Sequence, residues 1–98
     1  MIQKLVEGLQ PVDEGSFQYF DLVKGYEITL NFVKAGSQLP DHKHDQTVFS
    51  YVLAGEFQVT DKNGTHALKK GDWIRIPKGE EHAVIAKVET TLLEFWQK

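Results

Sequence analysis

Turn-forming residues punctuate this chain so often that short strands are almost all it has room for. Gly8, Pro11, Gly15, Gly25, Gly36, Pro40, Gly55, the pair Asn63-Gly64, Gly71, Pro77 and Gly79 leave segments of roughly five to ten residues, rich in Val, Ile, Thr and aromatics. This spacing predicts an all-β sandwich or barrel. Residues 26–33 alternate, with Ile28, Leu30 and Phe32 against Glu27, Thr29 and Asn31, and read as a strand with one wet face. Asn63-Gly64, lying between residues 57–60 and 65–68, marks a tight hairpin, since both residue types tolerate positive φ. Only residues 1–10 carry a helical pattern, and a weak one. There is no internal repeat, low-complexity tract or linker.

Length and charge exclude several classes of function. A chain of 98 residues is one domain, residues 1–98, with a modest core. The formal net charge is −3 and no Lys/Arg stripe forms, so neither nucleic acid nor an anionic membrane is an expected partner. No cysteine is present, which removes disulfides, thiolate metal sites and a Cys nucleophile. The first residues lack a long apolar stretch and no segment reaches spanning length, so a cytoplasmic location is expected.

Residues 47–53 are apolar on both faces: Val48, Ser50 and Val52 on one, Phe49, Tyr51 and Leu53 on the other. An antiparallel strand needs one dry face only. The second face calls for a homodimer, or for cover by the N-terminal segment of the same chain.

Three histidines carry the chemistry. Residues two apart on a strand share a face, so His42 and His44 can aim at one point. His82, opening another strand, would supply a third imidazole for a divalent metal, leaving open positions as catalytic sites do. Read by itself, Asp41-His42-Lys43-His44-Asp45 is equally a solvated polar loop. Gln46 alternates onto the same face and is a candidate fourth ligand, with a loop side chain in solvent as the other reading. His66 is assigned to packing or surface. Imidazole ligands accept Fe, Mn, Ni, Zn or Cu and do not choose among them.

The spacing Gly36-x5-His42-x-His44-x10-Gly55, followed by Gly71-x5-Pro77-x-Gly79-x2-His82, resembles the two motifs of the cupin superfamily, in its small single-domain, RmlC-like form. The resemblance covers about residues 28–96, with 1–27 as N-terminal strands. It implies a double-stranded β-helix, a small jelly-roll barrel whose open end holds a metal and a small organic ligand. Two positions depart from the family pattern. Val48 stands where cupins commonly carry a ligating Glu, and Ala86 where an Asn is frequent. Three neutral imidazoles would leave the ion its full +2 charge, favouring an anionic ligand. Phe32, Val48 and Trp73 are the expected pocket-lining residues, and Arg75 meets an anion only if it points inward. Glu80-Glu81 reads as a solvated corner.

Two classes of function stand side by side. One is a metal-dependent enzyme on a small molecule, a dioxygenase, isomerase or lyase. The other is a non-catalytic ligand-binding, sensor or accessory module with a degenerate or empty metal site.

Overall fold

The structure, a computed structural model, describes residues 12–14, 17–23 and 28–97; the weak helical pattern at 1–10 lies outside them. The described residues form ten strands and no helix: β1 Val12–Glu14, β2 Phe17–Val23, β3 Ile28–Val33, β4 Ser37–His42, β5 Thr47–Ala54, β6 Glu56–Asp61, β7 Gly64–Lys69, β8 Trp73–Ile76, β9 His82–Ala86 and β10 Thr90–Gln97. They make a six-stranded sheet in the order β1-β2-β3-β10-β5-β8 and a four-stranded sheet in the order β4-β9-β6-β7. All pairings are antiparallel. β10 inserts between β3 and β5, and β9 between β4 and β6, so late strands close ladders begun by early ones. This is the expected double-stranded β-helix.

The two inner faces meet in one apolar core. Val33, Val48, Val52, Ile76 and Leu92 come from the larger sheet, and Phe57, Val59, Leu68, Val84 and Ala86 from the smaller. Strict alternation sorts β5: Val48, Ser50 and Val52 are buried, while Tyr51 is 39 % exposed. The two faces of β5 divide as its sequence predicts. On the outer face, Phe49 stacks near Trp73, ring centroids 6.1 Å apart.

The corners depend on glycine for two distinct reasons. At Gly55 φ is +85°, and a Cβ would stand 2.4 Å from the Glu89 carbonyl oxygen, so both conformation and space demand glycine. Gly64 has open space around it and only its φ of +115° is special. The two-residue turn sits one position earlier than Asn63-Gly64, because Asp61 pairs directly with Gly64 and leaves Lys62-Asn63 as the turn. Asp61 Oδ1 accepts from the Asn63 N–H at 2.8 Å and stabilises that turn.

A candidate metal centre

β4 and β9 pair in the smaller sheet with a register shift between Leu39 and His42, and the shift sets His42 directly opposite His82. Along β9, His82, Val84 and Ala86 share the buried face, so His82 enters the barrel by ordinary alternation. His44 arrives differently from the expectation. β4 ends at His42, so the two histidines are not successive same-face residues of one strand. His44 lies in the following loop, and the Gly79 N–H donates to its carbonyl at 2.9 Å. Lys78 N–H also donates to Thr47 Oγ1 at 3.1 Å, so the loop before His82 is bonded to the segment carrying His44.

The candidate ligand atoms of His42, His44 and His82 all lie within 4.8 Å of one another, close enough to hold a metal ion. The ring centroids are 4.2 Å apart for His42 and His82, 4.8 Å for His42 and His44, and 5.1 Å for His44 and His82. Two rings have their tautomer fixed by the backbone. His42 Nδ1–H donates to the Pro40 carbonyl at 2.9 Å, and His82 Nδ1–H to the Glu80 carbonyl at 3.1 Å. In both, the Nε2 lone pair remains for a metal. Burial, then the neighbouring His42 and His82 imidazoles, push His44 down to about 4. Burial also lowers His82, against an opposing hydrogen bond to Glu80. Neutral imidazoles are the form a metal needs, and the donor set fits a divalent transition ion.

The cluster sits on a cavity of about 480 Å³ between the sheets. Val48 lines it and is 1 % exposed, so no carboxylate enters from β5. Gln46 lines it too, from the bend before β5. Phe32 and Trp73, expected at the cavity, are not among its lining residues. Alternation turns Asn31 inward and therefore Phe32 outward, where it packs edge-on against Phe20 at 5.9 Å. Ile76 faces the core, and Trp73, an odd number of residues away, is 59 % exposed. Arg75 is exposed. Glu80 pairs with Lys62 at 4.0 Å, and Glu81 is exposed. His66 lies away from the cluster, its Nε2 3.0 Å from Asp61 Oδ1.

The polar floor of the cavity is the part the sequence reading missed. Thr29 and Asn31, placed there on a wet face, are 8 % and 6 % exposed and line the cavity. Thr29 Oγ1 accepts from Asn31 Nδ2 at 3.0 Å and from Trp96 Nε1 at 3.3 Å. Glu94 on β10 is the one carboxylate among the lining residues. Ser50 Oγ donates to its Oε2, and burial pushes the carboxyl up to about 6 against that hydrogen bond. A single Glu inside the apolar run Leu92-Leu93-Glu94-Phe95-Trp96 was the available signal.

Two antiparallel sheets around a shared cavity lined by three clustered imidazoles define a small β-barrel with a site that could hold a metal ion. The cupin domain family matches residues 30–96, and the chain belongs to that family. The fold is similar to an RmlC-like cupin from Shewanella frigidimarina NCIMB 400, with TM-score 0.83 and 22 % identity over 94 % of this chain and 86 % of that one. It is also similar to the ectoine synthase of P. lautus, with TM-score 0.83 and 15 % identity over 99 % of this chain and 75 % of that one. A predicted oxalate decarboxylase from Thermotoga maritima gives TM-score 0.80 and 18 % identity over 93 % and 94 % of the two chains. At these identities the likeness is one of fold. No curated protein matches the sequence.

Proposed function

We propose that this single-domain cupin binds a divalent transition metal through Nε2 of His42, His44 and His82, and uses it to hold a small organic anion in the cavity. The observation that carries the reading is the convergence of three candidate ligand atoms within 4.8 Å. The Nδ1 hydrogen bonds of His42 and His82 add to it. When bound, such an ion supplies Lewis acidity and an anchoring charge undiminished by any carboxylate ligand. The protein's own part is to fix the imidazoles, exclude bulk water with Val48, Ile76 and Leu92, and present polar groups at the floor. Gln46 lines the same cavity, which supports a role beside the imidazoles.

The outer face of the larger sheet supports a second element of the reading, a homodimer. Tyr51, Trp73 and Phe95 are 39 %, 59 % and 40 % exposed and adjoin one another with Phe49 through the β10-β5-β8 register. An apolar patch of this kind is commonly an association surface.

The test of the metal reading is elemental analysis of untagged protein after anaerobic Fe(II) reconstitution. About one equivalent per chain is expected, and less than about 0.1 equivalent of any transition metal would defeat it.

A further inference from the structure

We propose that the floor of the cavity is a second recognition point, built by Glu94, Ser50 and Thr29, which takes the hydroxyl end of a short-chain hydroxy acid whose carboxylate is held at the imidazole cluster. This rests on the metal reading above and names the ligand class.

The three floor residues stand in one row across three strands. Thr29 of β3 pairs with Glu94 of β10, and Glu94 pairs with Ser50 of β5. All three line the same cavity as His42, His44 and His82. Ser50 occupies Oε2 of the carboxyl. Glu94 is the one carboxylate among the residues that line the cavity, and its second oxygen is the acceptor assigned to the guest. Thr29 Oγ1 already accepts two hydrogen bonds and has its own proton to offer.

An acceptor beside a donor is complementary to a hydroxyl, which gives one hydrogen bond and takes another. An ammonium has no lone pair for Thr29, and a second carboxylate would meet the charge of Glu94. Between the two ends the walls are apolar, with Val48, Ile76, Val84 and Leu92, and suit a few methylene groups. Trp96 sets the span. Its ring stands edge-on to His44 at 4.9 Å while its Nε1–H bonds Thr29, so one indole reaches from cluster to floor.

The experiment is calorimetric titration of the Co(II)-loaded full chain with propionate, butyrate, 3-hydroxypropionate, 4-hydroxybutyrate and 4-aminobutyrate. At least one hydroxy acid should bind about ten-fold or more tightly than its plain counterpart. That preference should fall below about two-fold in Glu94→Leu, and by several-fold in the isosteric Glu94→Gln, with cobalt content unchanged in both. Loaded protein that treats plain and hydroxy acids alike, a preference that survives both substitutions, or tightest binding of 4-aminobutyrate would overturn the floor site and leave the metal reading standing. A chain that takes up no cobalt would overturn both.

Discussion

His42 and His82 face each other directly across the β4–β9 ladder, their ring centroids 4.2 Å apart. Forty residues separate them in the chain, and each spends its Nδ1 proton on the backbone two residues earlier, on Pro40 and Glu80. Their geometry is thus set by main-chain pairing rather than by flexible side-chain choice.

Replacing either one should therefore empty the centre. His42→Ala or His82→Ala is expected to leave less than about 0.1 equivalent of metal per chain, as two imidazoles hold a divalent ion weakly. His66→Ala should keep the wild-type content, because His66 is engaged with Asp61. Metal content by mass spectrometry after gel filtration checks both.

Glu94 ties stability to pH in a defined direction. Its folded value of about 6 lies above the ordinary 4.5, so the native state holds this proton more tightly than the unfolded chain does. The resulting stabilisation is full below about pH 4.5 and is lost as pH rises through about 6. At about pH 8 the buried carboxylate costs on the order of 2 kcal/mol relative to a neutral group. Glu94→Gln should raise the melting temperature of metal-free protein at pH 8 by several degrees more than at pH 4.5. Calorimetric scans at the two pH values, wild type beside variant, measure the difference.

Gly55 and Gly64 separate steric from conformational demand. Gly55→Ala would drive a Cβ to 2.4 Å from the Glu89 carbonyl oxygen and should cost at least about 2 kcal/mol. Gly64→Ala meets nothing within 4 Å and should cost about 1 kcal/mol, from backbone strain alone. Urea unfolding of the two variants gives the ranking.

Trp73→Glu should dissociate the proposed dimer and leave metal uptake unchanged, since Trp73 stands on the outer face, away from the cavity. Light scattering at micromolar concentration should show wild type at twice the chain mass and the variant at once. Wild type at monomer mass would remove the dimer from the reading.

The glycine and proline spacing made the architecture readable, because corners in a β-barrel need residues of special backbone freedom and little else does. The histidines were readable from their spacing to the Gly and Pro corners; residues 82–86 are apolar on both faces, so alternation by itself does not aim His82 inward. The route to His44 was not readable. A loop held by a bond from Gly79, 35 residues away, leaves no periodic trace. Alternation sets Thr29 and Asn31 opposite Leu30 and Phe32, but polarity by itself does not say whether their face meets solvent or an internal cavity, and here both line the cavity. Phe32 and Trp73 lie in strands that enter or follow the two motifs, but nearness in sequence does not fix a face, and alternation turns both away from the cavity.

The bond from the Gly79 N–H to the His44 carbonyl bears on when the three imidazoles come together during folding. It joins loops 35 residues apart, and such non-local contacts are expected to form late, since long-range pairing is the slow part of folding. A nascent chain offers at most the adjacent His42 and His44, a poor chelate. The third imidazole is a product of the finished barrel. If the three imidazoles hold an ion as proposed, loading would be a late event that reports on completed folding, and each ion captured would draw the folding equilibrium forward in proportion to its free concentration.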